Sequence, residues 1–138
     1  MNVFALCTVG GGIDTLRATC GEVPLKGIIG LTKRESDGIS GFVDASEFAQ
    51  AMQVPFIPVE TYSLSSPSDK ARLMSLDIDV LLVVGWQRLI PDWLIGAAKI
   101  AAIGVHGSAY GIAGGRGRSP QNWAIMLGAS SFSVSLFL

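Results

Sequence analysis

The chain has 138 residues, 49% of them apolar, with 10 Lys and Arg, 11 Asp and Glu, and one histidine, giving a net charge of −1. That length fits one domain, and the apolar share supplies a sizeable core and excludes disorder. A pI near 5.7 with so balanced a charge gives no field that would draw in nucleic acid or an anionic membrane.

In chain order, NVFALCTV (2–9) is a short apolar run bounded by turn residues, the pattern of a buried parallel strand. It lacks the basic n-region of a signal peptide. No apolar run nears the ~20 residues of a membrane helix, so a soluble, cytoplasmic protein is expected. GGG (10–12) breaks the strand, and Ile13, Leu16 and Cys20 then recur at helical spacing over 13–20. Pro24 leads into a second strand, LKGIIGLT (25–32). The polar loop KRESDGISG follows, then a helix over 46–54 that Pro55 stops, because the residue before proline is pushed out of the α region. FIPVETY (56–62) reads as a strand, and SPSDKARLMSL (66–76) as a helix with a serine cap and a first-turn proline. VLLVVGW (80–86) is apolar on both faces and belongs in the middle of a sheet. PDWLIGAAK (91–99) is a short helix, and IAAIGV (100–105) a strand that ends at His106. SPQNWAIMLG (119–128) has the proline-first, glycine-last asymmetry of a helix. In SFSVSLFL (131–138), a closing strand, Phe132, Val134, Leu136 and Leu138 share one face. Strands alternating with helices predict an α/β fold with a mostly parallel, doubly wound sheet. The expected organisation is one domain over 1–138, incomplete at its C-terminus, since the chain stops inside a strand pattern where native termini are usually polar. Cys7 and Cys20 form neither a disulfide framework nor a C-x-x-C pair, as expected of buried thiols in a reducing compartment.

Three stretches are candidates for chemistry. In open α/β sheets ligands bind beyond the carboxyl ends of the strands. There, Gly10, Gly11 and Gly12 present successive backbone N–H groups as an anion cradle at a helix start. Gly10 and Gly12 also match the first two glycines of a dinucleotide fingerprint, although Thr15 holds the third place and a plain tight turn is the better explanation. Lys33, Arg34 and Glu35 end the second strand, where a ribose contact would be wanted. In GWQRLIP (85–91), Leu89 and Ile90 offer an apolar wall with free backbone edges for a flat heterocycle; the alternative is a turn in which Trp86 and Leu89 only pack. The third stretch is GVHGSAYGIAGGRGRSPQNW (104–123). Its His106 follows a strand at the rim, where a histidine is suited to proton transfer, and Arg116 and Arg118 present planar forks to a carboxylate or phosphate, or clamp the loop. No cluster of metal ligands is visible, and GxSxG is absent.

The motif His106-Gly107-Ser108, with Gly115-Arg116-Gly117-Arg118-Ser119-Pro120 and Asn122-Trp123-Ala124, resembles the signature of the folate-dependent formyltransferases. GWQRLIP resembles that family's folate-binding turn. The versions present here look closest to bacterial formyltransferases acting on amino sugars of nucleotide sugars. The resemblance implies a Rossmann-like N-terminal catalytic domain, 10-formyltetrahydrofolate as formyl donor, no metal, and a small primary-amine acceptor in place of nucleic acid or membrane. It implies His106 as the catalytic residue, since attack of an amine on the formyl carbon makes an oxyanion that a histidine stabilises or protonates. It places the backbone of Gln87, Arg88, Leu89 and Ile90 against the pteridine. Ser108, Arg116, Arg118 and Gly10 to Gly12 then fall on the acceptor side. Two departures stand out. Gly104 occupies the place of the family's asparagine, and the family's aspartate falls beyond Leu138. Both predict a chain short of full activity and favour as a rival a non-catalytic folate- or nucleotide-binding domain; a second rival, an NAD(P)-binding half, is favoured only by Gly10, Gly12 and the charged end of the second strand.

Overall fold

The N-terminal apolar run becomes β1 (Val3–Leu6), every residue of it buried, in a computed structural model that describes residues 1–117 and 119–138. The chain divides into two compact units, Met1–Ala102 and Ile103–Leu138.

In the first unit β1 pairs in parallel with β2 (Leu25–Leu31), β2 with β3 (Phe56–Val59), and β1 on its other side with β4 (Val80–Val83). Successive side chains point to opposite faces of a strand, and helices cover both. α1 (Gly10–Thr19) and α2 (Ala45–Ala51) bury Ile13, Leu16 and Phe48 against Ala5, Cys7 and Ile28. α3 (Pro67–Met74) and α4 (Asp92–Ile95) bury Leu73 and Leu94 against Leu6, Ile29 and Leu81. Each such side chain contributes roughly 1.5–3 kcal/mol, so a sheet sealed on both sides explains the continuous apolar runs read from the sequence.

Caps set the helix starts. Asp44 accepts from the Ser46 N–H at 2.9 Å, and Ser66 from the Ser68 N–H at 3.2 Å with Pro67 in the first turn. α2 stops at Ala51, short of the expected Val54, because Gln53 turns to φ +55° ahead of Pro55. β3 stops at Val59 instead of Tyr62 for a different reason. The carboxylate of Asp69, fully buried on α3, accepts from the Glu60 and Thr61 N–H groups at 2.7 and 3.0 Å, so these amides leave the strand ladder. Lys33–Glu35 forms a single 3₁₀ turn within the expected polar loop.

β5 (Ala101–Ser108) starts in the first unit, where the Ile100 N–H donates to the Asp79 carbonyl at 2.9 Å, and runs into the second. There it pairs antiparallel with β6 (Ser133–Phe137). A one-turn helix, α5 (Gly111–Gly114), and then α6 (Pro120–Met126) join the two strands, and Gly128 at φ +64° follows α6. The expectation that the strand ends at His106 is corrected: the ladder with β6 carries β5 on to Ser108, so the histidine lies within the strand. The described strands are thus mostly parallel, with flanking helices, in a Rossmann-like α/β arrangement. Among the described residues no helix is long and apolar enough to cross a membrane.

Candidate active site

The chain winds from β1 outward to β3 and then returns to place β4 on the other side of β1. This reversal creates a switch point at the carboxyl ends of β1 and β4, where ligands of open sheets bind. Thr8 ties the two ends together, donating to the Gly85 carbonyl from its N–H at 3.1 Å and its hydroxyl at 3.2 Å. The glycines on either side allow close approach: a Cβ on Gly12 would lie 2.4 Å from the Val84 carbonyl oxygen and 2.6 Å from Cys7 Sγ. Gly85 itself sits at φ +74° with Gly12 Cα beneath it.

This packing narrows the expected anion cradle. Gly10 donates its N–H to Gly41 at 3.3 Å and Gly12 to Val9 at 3.0 Å, while Gly11 is exposed, with open space around it. Gly11, exposed, is therefore the one of the three whose amide has no backbone acceptor among the described residues. Beside them Cys7 is buried, and burial pushes its thiol up to about 11, which removes it as a nucleophile near neutrality.

The second stretch, 87–90, leaves the end of β4 over an aromatic support. Trp86 is buried and meets the Tyr62 ring edge-on at 4.9 Å. The Tyr62 hydroxyl oxygen accepts from the Gln87 N–H at 2.9 Å, and the Arg88 guanidinium lies 5.5 Å from the centre of the same ring. Beyond this, Arg88, Leu89 and Ile90 make no backbone hydrogen bonds among the described residues, and Leu89 is 94% exposed. A bare apolar side chain beside unused N–H and C=O groups suits a flat ligand that presents both an apolar face and a hydrogen-bonding edge. Of the two side chains expected to pack, only Trp86 does. Its indole Nε1 is buried without a partner among the described residues.

The third stretch belongs to the second unit. In the β5–β6 register Gly104 faces Phe137, His106 faces Ser135 and Ser108 faces Ser133, so these six share one face of the pair. The His106 ring is held by its own loop, with Nε2 2.7 Å from the Gly115 carbonyl oxygen. A carbonyl only accepts, so Nε2 carries the proton and Nδ1 is left for other partners. Gly115 has to be glycine, since a Cβ there would lie 1.5 Å from Ser108 Oγ. That hydroxyl is buried and accepts from the Tyr110 N–H at 2.9 Å, which commits Ser108 to shaping the loop. Arg116 is exposed at the loop's end, and Arg118 lies outside the described residues. A residue the sequence did not single out completes this face. The Phe137 ring lies on Gly104, where an added Cβ would meet three ring atoms at 2.4–2.9 Å. Only the strand register reveals that pairing, because the two residues are far apart in the chain.

No family model matches the chain. It is 30% identical over 94 residues to the methionyl-tRNA formyltransferase of Koribacter versatilis, a match that covers 68% of this chain and 29% of that protein. A phosphoribosylglycinamide formyltransferase from Anaplasma phagocytophilum superposes with a TM-score of 0.75 at 17% identity, over 99% of this chain and 63% of the other. A formyltetrahydrofolate deformylase from Pseudomonas putida KT2440 superposes with a TM-score of 0.69 at 11% identity, over 98% and 47%. The chain carries a domain of the folate-dependent formyltransferase family. It spans under a third of the curated formyltransferase it matches. The three named relatives act on different partners, so membership of the formyltransferase family leaves the acceptor of this chain open.

Proposed function

We propose that this domain transfers a formyl group from 10-formyltetrahydrofolate to the primary amine of an amino sugar carried on a nucleotide. The observation that carries the reading is the chain's single histidine, fixed through Nε2–H to the Gly115 carbonyl on the face it shares with Gly104 and Ser108. An imidazole locked in one tautomer and orientation is prepared to take up the amine's proton through Nδ1, and the imidazolium so formed then carries an Nδ1–H that can donate to the oxygen of the formyl group.

The donor's flat ring suits the 87–90 turn, whose unused backbone groups and bare Leu89 match its edge and face. When bound it supplies the activated formyl carbon. The protein's part is to orient that carbon and exclude water from it. On the acceptor side, Arg116 offers a planar cation for phosphate; Gly11, at the start of α1 in the first unit, is a candidate anion contact in its own right. Ser108 supports the acceptor side indirectly, by holding the Tyr110 amide. Arg118 is assigned to the same side by its place in the motif alone.

A second reading, folate binding without efficient transfer, is favoured by one observation: the Phe137 ring fills the space beside His106 that a polar side chain at position 104 would need. An assay of formyl transfer to 3-amino and 4-amino nucleotide sugars separates the two. In the transfer reading, His106→Ala lowers turnover about 10²–10⁴-fold while leaving the affinity for 5-formyltetrahydrofolate within a few-fold. Equal turnover in wild type and His106→Ala would remove the histidine from the mechanism. No turnover in either, with folate bound, would establish the binding reading.

A further inference from the structure

We infer that the cleft between the loop after β5 and α6 is a nucleotide subsite, in which Tyr110 and Trp123 take the flat base and Arg116 the phosphates of a nucleoside diphosphate. The inference rests on the amino-sugar nucleotide reading of the acceptor and assigns its nucleotide half a place. The cleft lies wholly within the second unit and encloses about 210 Å³, with Tyr110, Arg116, Trp123 and Leu127 among its walls. That is below the ~300–1,000 Å³ of pockets enclosing whole drug-sized ligands, so it suits one ring with the rest of the molecule outside.

Its chemistry selects the ring and the charge. Trp123 is 56% exposed and Tyr110 60% exposed, both on the cleft. Broad aromatic surfaces left bare beside a concavity are what a stacked base requires. Every Asp and Glu of the chain lies before residue 93, so residues 103–138 hold no acidic side chain, and Arg116 and Arg118 are their charged side chains. A ligand here meets the Arg116 cation with no acidic side chain in the same unit to repel its phosphates. Two arginines are too few for the extended basic stripe of a polynucleotide site, which favours a single nucleotide. The cleft also adjoins the histidine, because Gly115 lines it and holds the His106 ring.

The test is calorimetric titration of the intact chain with uridine 5′-diphosphate, uridine and inorganic pyrophosphate, with the three tryptophan indole resonances followed by NMR. The inference predicts that the diphosphate binds more tightly than either half, and that the Trp123 resonance moves most. Trp123→Ala weakens binding about 5–150-fold, the span of one base–aromatic stack, and Arg116→Ala removes most of the difference between diphosphate and nucleoside. Ile125→Ala, exposed on α6 outside the cleft, changes neither. Trp123 is exposed, so loss of fold is not expected, and an unchanged circular dichroism spectrum checks it. Equal affinity of wild type and Trp123→Ala would overturn the subsite, as would tighter binding of a ten-nucleotide single-stranded RNA. Diphosphate binding that obeys these predictions without any formyl transfer would keep the subsite and remove the transfer reading. Transfer with an acceptor KM unmoved by Trp123→Ala would do the reverse.

Discussion

A side chain at position 104 would run into the Phe137 ring at 2.4 Å, so the glycine and the phenylalanine are a matched pair across the β5–β6 ladder. The sequence raised Gly104 as the departure from the family motif but gave no hint of its partner, because cross-strand neighbours depend on register. The pair leads to a double-mutant cycle. Gly104→Asn alone overpacks the face and lowers stability by about 1–3 kcal/mol. Adding Phe137→Ala restores part of the loss, a coupling of about 0.5–3 kcal/mol read from urea unfolding. In the transfer reading the double variant also gains turnover, since an added oxyanion donor is worth on the order of 10²–10³. Additive stability effects would show that the two residues are not in contact. Cys7 supports a second prediction at this scale. Its folded pKa of about 11 lies above that of an unfolded thiol, so its stabilising contribution is complete below about pH 8.5. It is lost as pH rises toward 11, because the unfolded chain releases the proton first. Cys7→Ala therefore flattens the alkaline limb of a stability–pH curve, and an unaltered limb would contradict the buried assignment.

At the scale of elements, the strands and all the helices but the one-turn α5 were legible because apolar runs, caps and prolines act locally. The residues that shorten β3 were not, since Asp69 reaches back to Glu60 and Thr61 from the following helix. The 87–90 turn is a similar case. The sequence pattern left open whether Leu89 packs or stands bare, and the turn's support on Tyr62 comes from 25 residues earlier in the chain. Tyr62→Phe removes the acceptor of the Gln87 N–H while keeping the ring, so the fold is retained. Affinity for 5-formyltetrahydrofolate then falls by roughly tenfold, the worth of one hydrogen bond of about 1–1.5 kcal/mol. Titration by tryptophan fluorescence measures it, and an unchanged affinity would place the folate ring elsewhere. The three glycines after β1 were legible as a turn and a helix start. Their division into two packed glycines and one exposed glycine was not, because it depends on Val84 and Gly41 approaching from other segments.

At the scale of the whole molecule, the acidic residues and the doubly covered parallel sheet belong to the first unit, while the histidine and the arginines of the motif belong to the second. The ion pair of Asp77 and Lys99 in the first unit holds the carboxylate low and the ammonium high through their mutual hydrogen bond. Its contribution is lost in acid as pH falls through the lowered Asp77 value, and in alkali as pH rises through the raised Lys99 value. Exposed pairs contribute little, so Lys99→Ala leaves the melting temperature at neutral pH within a degree or two; a larger drop would mean the pair is shielded from water. In the second unit Val134 and Leu136 are exposed on one face of β6. Such a surface favours self-association, so Val134→Lys with Leu136→Lys reduces concentration-dependent sedimentation without loss of helix signal. Which cofactor class the chain recognises is decided by thermal unfolding in the presence of 5-formyltetrahydrofolate or NADP. A folate derivative at 100 times its Kd stabilises by about 2.7 kcal/mol, so a formyl-folate domain has its melting temperature raised by several degrees with the folate and unmoved by the dinucleotide. Stabilisation by NADP with none by the folate would contradict the folate reading.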